Sequence, residues 1–173
     1  MSFIKQINKK DDVIQLERYD GEDIQINSDI DLESINKDSP IIRVCFLDVE
    51  TTGFDVEDNE IIELAFKVIE FNKENCLNNT AVKKYESYND PKMRIDKEII
   101  ALTGITNEIV KDKAIDWDAV KDILDLCQLI VAHNARFDRK FIEKYIETSN
   151  IWACSQADVD WKERGFFKQS LEM

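Results

Sequence analysis

The most regular alternation in the chain is "EIIELAFKVIEF", residues 60–71, where Ile62, Leu64, Phe66 and Val68 fall at every second position. Successive side chains of a strand point to opposite faces, so this spacing predicts a long strand with one apolar face. Just upstream, "IIRVCFLDVE" (41–50) has the apolar, β-branched character of a central strand. "KKYESY" (83–88) predicts a third strand. After Pro91 the period lengthens. "DKEIIALTG" (96–104) predicts a short helix stopped by Gly104, and "TNEIVKDK" (106–113) another begun by Thr106 with Glu108 near its start. In "DWDAVKDILDLC" (116–127), Trp117, Val120, Leu124 and Cys127 form one apolar helical face. "QLIVAH" (128–133) predicts a short buried strand, "NARFDRKFIEKYIE" (134–147) a helix with Phe137, Phe141 and Tyr145 in register, and "IWACS" (151–155) a last strand. Strands mixed with helices predict a layered α/β or α+β domain.

Upstream of residue 41 the character differs. "VIQLERYDGEDIQI" (13–26) predicts two short strands around the turn signal Asp20-Gly21. "NSDIDLESINKDSP" (27–40) is polar, acidic and ends in proline, as a linker does. Residues 1–40 are therefore expected to be an acidic, hairpin-like extension covering a sheet edge, and 41–173 the main domain.

Composition narrows the class. With 173 residues and 43% hydrophobic content the chain can bury a core, and two prolines and four glycines do not describe a disordered chain. A formal charge of −13 repels phosphate backbones, which argues against a protein that coats nucleic acid. It leaves room for an enzyme that grips a chain end through metal ions. Cys45, Cys76, Cys127 and Cys154 lie far apart, without the paired spacing of a zinc site, and are expected as reduced thiols. No uncharged apolar run approaches the roughly 18 residues of a membrane span. A soluble, cytoplasmic protein with no membrane partner is expected; the oligomeric state is left open.

The chemistry concentrates in "FLDVETTGFD" (46–55). On a strand, Asp48 and Glu50 project together while Val49 points away. Two carboxylates on one face repel unless a positive charge lies between them, and a hard divalent cation with its preference for oxygen ligands supplies one. Thr51, Thr52 and Gly53 end the strand and let backbone or hydroxyl groups approach a ligand. A second stretch, "LIVAHNARFDRKF" (129–141), delivers His133 and Asn134 to a strand end, and helical spacing returns Asp138 to the same edge. His133, the one histidine of the chain, reads first as a structural hydrogen-bond partner.

These segments, together with "ALTGITNEIV" (101–110), resemble in order the DnaQ-like, DEDD-type 3′–5′ exonucleases, which include the proofreading epsilon subunit of DNA polymerase III. The resemblance spans about residues 42–155. It implies a ribonuclease H-like α/β fold, a mixed sheet with an antiparallel second strand flanked by helices. It also implies two Mg²⁺ or Mn²⁺ ions held by Asp48, Glu50 and Asp138 as catalytic and metal-binding residues. Phe54 would wedge against the terminal base, with Leu102 packing from the other side. Thr51, Thr52, Gly53, His133 and Asn134 complete the expected substrate contacts. The implied partners are a single-stranded nucleic-acid 3′ end and a DNA polymerase complex.

The resemblance stops short of the family's third motif. A His base in the pattern H-x-A-x-x-D is absent, because there is no second histidine. The variant with a Tyr base, Y-x-x-x-D, fails at Tyr145, which Ser149 follows where an Asp is needed. Asp158 and Asp160 are loose candidates for the fourth carboxylate. The expectation is a 3′–5′ exonuclease domain that ends before its site is complete and is inactive or weak as it stands. The alternatives are a non-enzymatic module for protein interaction or 3′-end binding, and a hydrolase of other phosphodiesters. DNA and RNA are not distinguished, since no residue announces a 2′-OH contact.

Overall fold

The structure, a computed structural model, describes residues 4–10, 13–18, 39–74 and 80–165. A first pair of strands, β1 (Ile4–Lys10) and β2 (Val13–Arg18), is antiparallel and forms its own two-stranded sheet. These strands form a hairpin upstream of the Asp20-Gly21 signal, whose turn lies outside the described residues. "VIQLER" is its second strand, and residues 19–38 lie outside the described ones.

The main sheet has the order β5-β4-β3-β6-β7. Strand β3 (Ile41–Thr51) lies at its centre, antiparallel to β4 (Ile61–Asn72), which is antiparallel in turn to β5 (Thr80–Tyr88). On the other side β6 (Leu129–Ala132) runs parallel to β3, and β7 (Ile151–Cys154) parallel to β6. This is the mixed sheet with an antiparallel second strand that the family resemblance implies.

Alternation decides which face is covered. Cys45, Leu47 and Val49 of β3 and Leu64, Phe66 and Val68 of β4 are buried. They meet Val120 and Leu124 of α3 (Trp117–Asp125) and Phe141 and Ile142 of α4 (Ala135–Glu143) in one core. Each such side chain contributes roughly 1.5–3 kcal/mol through its removal from water. The intervening β3 residues Phe46, Asp48 and Glu50 point to the opposite face, where Phe46 remains 40% exposed. A second cluster joins Ile62, Ile95, Ile105 and Val110 around α1 (Lys97–Thr103) and α2 (Asn107–Val110).

The helix ends follow their signals. Gly104 closes α1 in the left-handed region at φ 77°, and its N–H reaches the carbonyl of Ile100. The Thr106 side chain accepts from the N–H of Ile109 at the start of α2. That helix is shorter than the expected 106–113, because Lys111 leaves helical geometry and Asp112 adopts φ 59°. Among the described residues no helix is long and apolar enough to cross a membrane.

Candidate active site

The centre of the sheet is where β6 stops. It pairs with β3 only from Val44 to Phe46, so further along β3 the backbone facing β6 loses its ladder partner. A buried N–H cannot be left unpaired without cost. The chain answers with a side chain: Asp138 of α4 accepts from the N–H of Val49 at 3.2 Å. Asn134 makes this possible. It adopts the left-handed conformation at φ 64°, which asparagine tolerates better than most residues, and turns the chain from β6 directly into α4. Asp138 is thereby brought to the edge of β3 between Asp48 and Glu50, as the helical spacing predicts.

Three carboxylates thus share one neighbourhood. Asp138 is only 2% exposed, and its Oδ2 is buried with no hydrogen-bond partner. Burial and the charge of Asp48 push its pKa up to about 7, Glu50 adding to the rise while the N–H of Val49 opposes it. Asp48 keeps surface open to solvent but sits against enough protein that lost hydration raises its pKa, with the His133 imidazole pulling the other way. Glu50 is raised by burial, then by Asp48 and Glu63. Burial raises all three, neighbouring carboxylates add to the rise at Glu50 and Asp138, and an orphaned carboxylate oxygen adds a vacant acceptor. In donor chemistry and charge the residues fit a hard divalent cation. Among the described residues no three His, Cys, Asp or Glu side chains are arranged to hold one ion.

Glu63 escaped sequence reasoning. It lies opposite Glu50 in the β3–β4 ladder, its own pKa raised by burial and lowered by a hydrogen bond with Tyr88. Its signal was present in the antiparallel register of two strands, but only pairing makes it visible. Immediately beyond, the register shifts between Glu50 and Thr51. Such bulges re-aim side chains beside functional sites.

The bulge turns Thr51 and Thr52 inward, 7% and 8% exposed. Thr51 Oγ1 donates to the carbonyl of Gly53 at 2.7 Å; Thr52 Oγ1 donates to Asn59 Oδ1 and accepts from the N–H of Glu60, each at 3.0 Å. Both hydroxyls thus help to shape the loop. Gly53 is required for close approach, because a Cβ there would lie 2.5 Å from Asn59 Oδ1. The loop ends at Glu60, clasped from α4's end by Lys144 at 2.7 Å and by the hydroxyl of Tyr145. Burial alone would raise Glu60, but these hydrogen bonds outweigh it and its pKa is lowered.

Clamped in this way, the loop presents Phe54 at 85% exposure, its ring 6.2 Å from that of Phe137. Leu102 on α1 is likewise 72% exposed. Neither is a core residue. His133 Nδ1 lies 3.0 Å from Ser155 Oγ, in the structural role expected of it, while its Nε2 is buried without a partner. The remaining candidates are otherwise engaged. Tyr145 is raised by burial and by Glu60, the opposite of a poised base. Asp158 accepts from the N–H of Cys154 and Asp160 from that of Glu163, each closing a local turn. Cys45, Cys127 and Cys154 are free thiols, as expected; Cys76 lies outside the described residues.

The family model described as "Exonuclease" matches residues 45–172. PolC-type DNA polymerase III of Thermotoga maritima is 28% identical over 148 residues, 82% of this chain and 10% of the polymerase. Its Bacillus subtilis counterpart is 30% identical over 123 residues, 69% and 8% of the two chains. The chain thus spans a tenth or less of the length of these relatives. Among solved structures, exonuclease X in complex with 5′ overhanging duplex DNA matches with a TM-score of 0.50 at 22% identity, covering 75% of this chain and 78% of that one. E. coli exonuclease I in complex with a dA16 oligonucleotide matches with a TM-score of 0.50 at 18% identity, covering 66% and 28%. These likenesses identify the fold.

Proposed function

The chain belongs to the exonuclease family whose model its residues 45–172 match, and from that premise we propose that it is a metal-dependent 3′–5′ exonuclease module acting on a single strand. The observation that carries this reading is the convergence of Asp48, Glu50 and Asp138 at one strand edge. All three carry raised pKa values, and an exposed phenylalanine stands on the adjoining loop. Asp48, Glu50 and Asp138 would hold the Mg²⁺ or Mn²⁺ ions. When bound, these supply Lewis acidity toward the phosphodiester and a water acidic enough to attack it.

The chain's own residues do the positioning. The Val49 N–H fixes Asp138, and the loop hydrogen bonds fix Phe54, on which a terminal base stacks without regard to sequence. Leu102 offers a second apolar contact. Asn134 and His133 border the strand end from which the substrate is approached. DNA is the favoured substrate, because the relatives described above are DNA polymerases. Association with a polymerase and residence in the cytoplasm belong to the same proposal.

No second histidine is present to act as the base, so the chain alone is expected to be slow. Loss of the base typically lowers a rate by about 10²–10⁴-fold. The same absence favours a second reading, a module that binds 3′ ends without cutting them. A 5′-labelled single-stranded DNA and a matching RNA, incubated at high protein concentration with Mg²⁺ and with Mn²⁺, separate the two. Shortening that disappears in Asp48→Ala supports the enzyme. A strand that is bound but never shortened supports the binding module.

A further inference from the structure

The chain carries a formal charge of −13, yet the solvent side of α4 is cationic. Arg136, Arg139 and Lys140 are exposed there, while Asp138, the acidic residue between them, is buried on the opposite side. Arg139 is paired with Glu143 at 2.7 Å. Arg136 and Lys140 take part in no ion pair among the described residues, and both line one depression with Phe54, Asp55, Asn134 and Phe137. Its volume is about 520 Å³. Asp55 is the one acid on its wall, and its Oδ1 accepts from the N–H of Glu57 in its own loop.

An aromatic ring at the mouth, a second ring in the lining and two unpaired cations on the wall form the combination that single-stranded nucleic acid requires. Bases stack on the rings and phosphates meet the cations. We propose that Arg136 and Lys140 form a phosphate track that holds the body of a single strand as it leads away from Phe54. The proposal rests on the exonuclease reading, because that reading sets the terminal nucleotide against Phe54. It adds where the next nucleotides lie, and it gives an acidic protein a local grip on a polyanion. An acidic peptide is the competing occupant.

Binding of 5′-fluorescein-labelled dT12 is measured by anisotropy between 50 and 200 mM salt, with Ca²⁺ in place of Mg²⁺. Wild type is compared with Arg136→Gln/Lys140→Gln and with a charge-matched control, Lys73→Gln/Lys111→Gln. Each lost phosphate contact on a single strand lowers the salt exponent by about 0.7, so the track variant should lose about 1.4. Over this fourfold salt range wild-type affinity should then fall about sevenfold more than that of the variant. The control should follow wild type, and competition by thymidine 5′-monophosphate should be equal in all three, since one nucleotide does not reach the track.

A salt exponent unchanged in a folded track variant overturns the track and leaves the exonuclease reading standing. So does an acidic peptide that displaces dT12 as well as unlabelled dT12 does. A wild type that neither holds dT12 nor shortens DNA or RNA removes both.

Discussion

Replacing Asp138 with asparagine should stabilise the metal-free protein at pH 8 while disabling the site. Its carboxyl is 2% exposed, and its pKa rises from 3.8 to about 7. A raised carboxyl favours folding while it is protonated. That contribution is complete below the unfolded value near 3.8 and is lost as pH rises through about 7. The loss amounts to about 1.4 kcal/mol per pH unit, on the order of 4 kcal/mol in all. Asparagine keeps an acceptor for the N–H of Val49 and removes the charge, but it buries an amide donor where Oδ2 has no partner. An unpaired buried donor costs about 1–3 kcal/mol. The net gain at pH 8 is then roughly 1–3 kcal/mol, vanishing near pH 5 and reversing at more acid pH. Urea unfolding in EDTA at pH 8, 5 and 3.5 measures all three. Addition of Mg²⁺ should stabilise wild type far more than Asp138→Asn. A variant less stable than wild type at pH 8 in EDTA would refute the argument that buried negative charge is what this site carries at the expense of stability.

Three further perturbations test the surroundings. Phe54→Ala removes a ring that is 85% exposed, so stability should change by less than about 0.5 kcal/mol. Strand affinity should fall by roughly 1–3 kcal/mol of lost stacking, read by anisotropy. Tyr145→Phe keeps the ring stacked on Trp117 at 4.3 Å but deletes the hydroxyl bonded to Glu60. Denaturant unfolding should show a loss of about 1–2 kcal/mol at neutral pH, the scale of a hydrogen bond to a charged group. Gly53→Ala drives a Cβ to 2.5 Å from Asn59 Oδ1. Its strand affinity should fall as the loop shifts Phe54, while the far-ultraviolet spectrum stays that of wild type.

The legible parts of this molecule were those whose cause is local. Alternation over Ile62, Leu64, Phe66 and Val68 depends only on the two-residue period of a strand, and all four are buried. Asp48 with Glu50, and Asn134 with Asp138, were readable because strand and helix periods fix which side chains share a face. The contribution of Glu63 was hidden because it exists only through the antiparallel pairing with Glu50. The Val49–Asp138 hydrogen bond was hidden for a related reason. It is needed because β6 leaves the ladder after Phe46, a fact of topology. The inward turn of Thr51 and Thr52 follows from a bulge that a single strand's sequence does not announce. The strand Ile4–Lys10 was hidden because its run of polar residues lacks the clean alternation that marks β4.

The central claim is that these carboxylates remove nucleotides from a 3′ end. The most direct test is product length over time from a 5′-labelled single-stranded DNA with Mg²⁺ and protein in excess, beside the same strand closed into a circle. The account predicts a ladder that shortens one nucleotide at a time from the 3′ end, an untouched circle, and no ladder with Asp48→Ala. A circle that is opened, or label released first as a mononucleotide, would contradict it.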